Sequence, residues 1–179
     1  METENLLIRP TEFKDCNLFA KWEVLPEVTR FFSISKNRTL EEIVREFILR
    51  KEDDEHLQFT IVLKKENRPI GRIWISSIDT HGNSLDITRI YVADMKDRGY
   101  GYGEEALLGI LKHFFLNLKI ERVTLDFFTG NEIAHNLYKK VGFSDEGCMR
   151  SAARKNGKYY DLNLMSILRE EFISKYGSK

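Results

Sequence analysis

The sequence predicts a mixed α/β domain. Three observations carry that expectation: short runs of alternating apolar residues, longer runs with helical apolar spacing, and the order in which the two types follow each other. At 179 residues the chain falls within the roughly 100–200 residues of one domain. With three prolines and no Gly/Ser-rich stretch it shows no linker. Residues 1–179 are therefore expected to form a single domain.

Leu6-Leu-Ile-Arg9 reads as a first strand, stopped by Pro10. Thr11 to Leu25 reads as a helix whose period is set by Phe13, Cys16, Phe19, Ala20 and Glu23. Thr39 is placed to cap a second helix, with Leu40, Ile43, Val44, Phe47 and Ile48 at helical spacing. Lys51 to His56 is a charged turn, and its acidic run Glu52-Asp-Asp-Glu55 reads as a solvated surface. Gln58 to Lys64 and Ile70 to Ile78 read as two strands joined at Glu66-Asn-Arg-Pro69. Leu85 to Val92 is a third, with Ile90 and Val92 on one face.

The longest helix follows a glycine run. Leu107, Leu111, Phe114 and Leu118 form its apolar stripe, widened by Leu108 and Phe115. Val123, Leu125 and Phe127 then alternate as a strand. Asn131 opens a helix through Lys140, ended by Gly142. Phe143 to Arg154 and Lys158 to Leu168 read as a closing hairpin that turns at Lys155-Asn-Gly157. The strand–helix–strand–helix segment from Leu85 to Lys140 predicts a parallel strand pair with a right-handed crossover.

Composition narrows the partners. The 28 basic and 28 acidic residues cancel, so no overall field favours nucleic acid or an anionic membrane. The apolar stretch from Ala106 to Leu118 is interrupted by Lys112 and His113 and is too short for a bilayer. Two distant cysteines, Cys16 and Cys148, make neither a disulfide framework nor a zinc pattern. They fit a reducing cytosol, so a cytoplasmic location is expected. The four histidines form no pair with metal-ligand spacing, and no metal is expected.

Arg98-Gly-Tyr-Gly-Tyr-Gly103 carries the functional argument. It places backbone N–H groups, free of side chains, at a helix start, where a phosphate or pyrophosphate binds readily. The P-loop pattern G-x-x-x-x-G-K-[ST] is absent. Gly101-Tyr-Gly-Glu-Glu-Ala106 does satisfy the dinucleotide pattern G-x-G-x-x-A, with Asp126 on a later strand. Its context is wrong, because the polar residues 93–97 separate it from its strand and no second mononucleotide half follows.

The same run resembles R/Q-x-x-G-x-G/A, the acyl-CoA pyrophosphate loop of the GNAT superfamily of N-acetyltransferases. Asn131-Glu-Ile-Ala-His-Asn-Leu-Tyr-Lys-Lys-Val-Gly-Phe143 is similar to that superfamily's N-x-x-A-x-x-x-Y-x-x-x-G-F segment. Asp86-Ile-Thr-Arg-Ile-Tyr-Val92 is similar to its cofactor-binding strand. The ending Arg154 to Met165 resembles the last hairpin of the branch holding ribosomal-protein, amino-sugar and polyamine acetyltransferases. One departure stands: the loop between Val92 and Arg98 is one residue longer than the common pattern and lacks its proline.

The resemblance implies a central mixed, largely antiparallel twisted sheet of about seven strands, flanked by about four helices. It implies direct acetyl transfer from acetyl-CoA (coenzyme A) to a primary amine, in a small-molecule or peptide acceptor. Gly99, Gly101 and Gly103, with the N–H groups of Arg98, Tyr100 and Tyr102, would bind the pyrophosphate, and Arg98 would add charge. Backbone groups of Ile90, Tyr91 and Val92 would hold the pantetheine arm and polarise the thioester carbonyl. Tyr138 would be the general acid that protonates the thiolate. Asn131 and Asn136 are candidate cofactor contacts, Asn131 being also a natural helix cap. Asp86, read as sharing a strand face with Thr88 and Ile90, is the candidate base, with Asp126 and Asp79 behind it. Trp74 reads as a core residue that could line the acceptor pocket. A non-catalytic acyl-CoA sensor on the same fold is the alternative; Tyr138 and the intact glycine loop speak for catalysis. A homodimer through the C-terminal strands is a family-level expectation.

Overall fold

The computed structural model describes residues 1–34 and 38–177. Its centre is a seven-stranded sheet in the order β1-β2-β3-β4-β5-β7-β6. The strands are β1 (Leu6–Pro10), β2 (Leu57–Leu63), β3 (Arg68–Asp79), β4 (Ser84–Val92), β5 (Arg122–Phe128), β6 (Ser144–Lys155) and β7 (Lys158–Leu168). All neighbours pair antiparallel except β4 and β5, which are parallel. The parallel step expected between Leu85 and Lys140 is therefore present. Asn156 (φ +50°) and Gly157 (φ +79°) close the β6–β7 hairpin in the left-handed region that a two-residue turn requires.

Six helices surround the sheet among the described residues: α1 (Cys16–Trp22), α2 (Pro26–Thr29), α3 (Leu40–Lys51), α4 (Tyr102–Lys112), α5 (Glu132–Val141) and α6 (Arg169–Tyr176). The single helix expected over 11–25 is instead a 3-10 turn, Phe13–Asp15, followed by α1 and then α2. Leu25 is extended before Pro26, which cannot continue a helix but starts one well. Phe13 consequently lies outside the buried stripe and is 60% exposed. Thr39 caps α3 as expected, in a reciprocal capping box with Glu42.

The stripe of α4 also differs in its last turn. The helix widens into a π-turn over His113–Asn117, which buries the adjacent Phe114 and Phe115 together and turns Leu118 out to solvent. Phe115 packs against Phe172 of α6, ring centroids 5.1 Å apart. The sequence had shown no helix here, because Phe172 is the only fully buried residue of α6.

Two cores divide the sheet faces. Leu85, Ile87, Leu107, Leu111, Leu125 and Tyr138 belong to the larger, beneath α4 and α5. Phe19, Trp22, Ile43, Phe47 and Tyr91 belong to the other, beneath α1 and α3.

Two irregularities shape the site. Ile75 pairs with Ile87 and Trp74 with Arg89, so Thr88 is an extra residue bulged from β4. Leu85 and Ile87 face the α4 side before the bulge; Ile90 and Val92 face it after. The second irregularity is a splay. β4 pairs with β5 only over Ser84–Asp86 and Arg122–Thr124, and beyond that the two strands part. A cavity opens in the wedge between them.

Candidate active site

The wedge is a cavity of about 410 Å³, within the range of small-molecule sites. Ile90, Tyr91 and Val92 form one wall; Asp126 and Phe127 of β5 form the other. The glycine loop and the first turn of α4 close one end, and Asn131, Ala134, Leu137 and Tyr138 of α5 contribute a side. The two motifs thus meet in one space because parallel β4 and β5 bring their following helices to the same edge.

Gly99 (φ +84°) and Gly101 (φ +82°) take conformations that disfavour side chains. Gly101 is the N-cap of α4, and no side chain caps that end, so the first-turn N–H groups have no intrahelical acceptor. Gly103 is informative for a different reason. It lies inside the helix at ordinary φ, and a Cβ there would meet nothing within 4 Å. The helix forgoes about 0.5–1 kcal/mol relative to alanine and packs nothing closer in return. The space it leaves opens onto the cavity, at the positive end of a helix dipole, and suits a diphosphate.

Arg98 does not hold its guanidinium free for an anion. It donates to the carbonyls of Val92 (3.1 Å), Ala93 (3.3 Å) and Glu27 (3.0 Å), stapling the loop to β4 and α2. Tyr100 is outside the cavity wall: 70% exposed and stacked on Tyr102 at 5.7 Å. Asn131 caps α5, its Oδ1 accepting from the Ala134 N–H at 3.3 Å, and also lines the cavity. Asn136 is exposed on α5, away from the wall.

Tyr138 is buried among Phe127 and Phe143, at ring distances of 5.5 and 5.8 Å. Its hydroxyl has no hydrogen-bond partner among the described residues. Burial, with the charges of Asp126 and Asp86, raises its pKa, so the phenol keeps its proton.

The acidic residues correct the sequence reading. Asp86 shares no face with Ile90, because the bulge at Thr88 breaks the alternation. It lies off the cavity wall, accepting from Thr124 (2.8 Å) and Thr88 (3.1 Å). Burial raises its pKa against those two bonds. Among the described residues four acidic residues line the cavity: Asp97 and Glu104 are paired with Arg68 and Lys140, Glu27 lies beside Arg98, and Asp126 stands on the β5 wall near Tyr138. Flanking protein, and then the charge of Asp86, push the Asp126 pKa up to about 6. Asp79 is remote: its carboxylate caps the turn at His81 and Gly82, which holds its pKa down.

Sequence reasoning missed a buried ionic cluster on the α1/α3 side. Glu23, wholly buried, accepts from Arg72 (2.6 Å), Arg89 (3.0 Å), the Tyr91 hydroxyl (3.1 Å) and Arg38 (2.5 Å). Arg72, equally buried, also binds Glu46 (2.8 Å) and Gln58 (2.7 Å). Burial would raise the Glu23 pKa, but Arg89, Arg72 and Arg38 outweigh it and hold it below the usual value. The available signal was Arg72 itself, a lone charge inside the apolar strand Ile70–Ile75. Trp74 belongs with this cluster, its ring 5.0 Å from the Arg89 guanidinium.

A family model described as Acetyltransferase (GNAT) domain matches residues 5–144. The chain belongs to the GNAT acetyltransferases. This GNAT domain is 28% identical to the SPbeta prophage-derived uncharacterized N-acetyltransferase YokL of Bacillus subtilis, over 97% of this chain and 96% of that protein. It is 30% identical to an N-acetyltransferase 9-like protein of Caenorhabditis briggsae, over 78% and 75% of the two chains. Its fold matches that of the Vibrio cholerae spermidine N-acetyltransferase solved in complex with CoA and spermine, at a TM-score of 0.86 and 19% identity, covering 96% of this chain and 99% of that one. Among the described residues no helix is long and apolar enough to cross a membrane.

Proposed function

We propose that this GNAT domain moves an acetyl group from acetyl-CoA to a primary amine, both held together in one ternary complex. The observation that carries the reading is Gly103: a helix residue whose missing side chain serves no packing purpose and leaves room at a dipole-positive end. Acetyl-CoA supplies an acyl carbon activated as a thioester, with a thiolate leaving group.

The chain's residues supply the rest. First-turn N–H groups of α4, beside Gly99 and Gly101, hold the diphosphate. β4 beyond Asp86 has lost its β5 partner, so the backbone groups of Ile90–Val92 that face away from β3, apart from the Val92 carbonyl held by Arg98, are available to an extended pantetheine arm and to the thioester oxygen. Asp126, with a pKa near 6, takes one proton from the substrate ammonium, directly or through water. The amine nitrogen bonds to the acyl carbon and the C–S bond breaks. Tyr138 gives its proton to the departing sulfur and recovers one from the nitrogen, leaving amide and thiol. Asp86 acts through Asp126 by raising its basicity. Holding both reactants in one wedge removes much of the entropic barrier.

Thiol release from acetyl-CoA, followed with a chromogenic reagent across a panel of primary amines, tests the reading. Amine-dependent release stoichiometric with amide formation supports it. Tight coenzyme A binding with no release for any amine would indicate an acyl-CoA sensor instead.

A further inference from the structure

Beyond Asp126 the wedge continues into a recess of about 150 Å³, walled by Phe31, Phe32, Phe127, Phe128 and Leu162. Among the described residues, the ionisable side chains that line it are Asp126 and Arg89. The recess is the place for the acceptor, because Asp126 belongs to both spaces.

Arg89 carries a charge that its neighbours do not cancel. The buried cluster behind it holds three guanidinium groups, Arg38, Arg72 and Arg89, against two carboxylates, Glu23 and Glu46. Arg72 and Arg38 each spend both terminal nitrogens on those carboxylates. Arg89 spends only Nη1, on Glu23. Among the described residues its Nε is buried with no partner and its Nη2 makes no hydrogen bond. The surplus positive charge therefore sits on Arg89, at the recess. Phe32 and Trp74 hold the guanidinium in place, their ring centroids 5.8 and 5.0 Å from it. No hydrogen bond or ion pair joins Arg89 to Asp126 among the described residues, so the two charges stand apart across the recess.

Resting on the acetyl-transfer reading, we infer that the acceptor is a primary amine that also bears a carboxylate, several bonds from the nitrogen. Its amine is drawn to Asp126 and its carboxylate to the unpaired Nη2 of Arg89, with the apolar stem between the phenylalanines. A polyamine brings only charge of the sign that Arg89 already carries in excess.

The test uses three probes of one length, differing only at the far end: 6-aminohexanoate, 6-aminohexanamide and 1,6-diaminohexane, with shorter homologues of each. Thiol release gives kcat/KM, and calorimetry on the coenzyme A complex gives Kd. At the best length the carboxylate should exceed the amide by about 10-fold or more, the scale of a charge-assisted hydrogen bond, and exceed the diamine by more. Within Arg89→Gln the carboxylate-to-amide ratio should collapse to about two-fold or less, and Arg89→Lys should restore part of it. The ratio is measured inside one preparation, so a partly folded variant does not distort it. Equal or reversed preference in the unmodified protein overturns the inference while acetyl transfer stands. If no amine releases thiol, the transfer reading fails, and the calorimetric ratio alone decides whether Arg89 selects an anion.

Discussion

Asp86 and Asp126 lie on neighbouring strands, and the charge of Asp86 adds to burial in holding the Asp126 carboxyl up to about 6. Thr124 lies between them, its hydroxyl donating to Asp86 at 2.8 Å. A base must lose its proton before it can act, so kcat/KM should rise with pH through a limb near 6. Asp86→Asn removes the like charge, favours ionised Asp126, and should move that limb to lower pH. Asp126→Asn should abolish the limb and lower the plateau about 10²-fold or more. A pH–rate profile unchanged in Asp86→Asn would mean the two carboxylates are uncoupled.

Gly103 separates stability from binding. Its Cβ position is empty and its φ ordinary, so Gly103→Ala should leave the free protein as stable or more stable, by about 0.5–1 kcal/mol. The added methyl points into the space assigned to the diphosphate, and coenzyme A affinity should fall. Gly101→Asp should abolish binding, by adding a carboxylate at a left-handed position in the same loop. Thermal melts and calorimetry measure the two effects independently; a Gly103→Ala variant that binds coenzyme A as before sinks the loop assignment.

The parts of the site that were legible in the sequence are local. Three alternating glycines before an apolar-periodic helix, and Asn131 with Tyr138 about two turns apart on one helix, express backbone and face requirements within a few residues. The wedge is not local. It exists because β4 bulges at Thr88 and leaves β5 after Asp86, and both events depend on strand pairing far along the chain. A strict two-residue period put Asp86 on the Ile90 face; one extra residue reversed that. The ionic cluster escaped for the same reason. Glu23, Arg72 and Arg89 come from three separate elements, and only Arg72, charged among isoleucines, marked the spot.

Tyr138 should matter to turnover more than to binding or folding. Its ring packs on Phe127 and Phe143, contacts that phenylalanine keeps, and its hydroxyl has no internal partner to lose. Tyr138→Phe is therefore expected to fold normally and bind coenzyme A within about two-fold. Without the acid, kcat should drop about 10²-fold. Because burial raises the phenol pKa, loss of that acid should not limit the rate anywhere in the neutral range. An undiminished kcat at saturating acetyl-CoA would remove Tyr138 from the chemistry.

Glu23 tests the cluster behind the acceptor recess. Among the described residues it is the one carboxylate shared by Arg38, Arg72 and Arg89. Glu23→Gln keeps the shape and removes the charge, leaving three guanidinium groups to one remaining carboxylate, Glu46. Breaking a buried pair from one side costs about 3–5 kcal/mol, because the surviving charge stays desolvated. Urea denaturation should show a loss of that order, with an unchanged m-value if the denatured state is unaffected. A second substitution separates charge from packing: Arg89→Met in the Glu23→Gln background removes one stranded cation and should recover part of the loss. If Glu23→Gln costs less than about 1 kcal/mol, the range of surface pairs, water reaches the cluster, and the positive surplus at Arg89 is screened rather than held for a ligand.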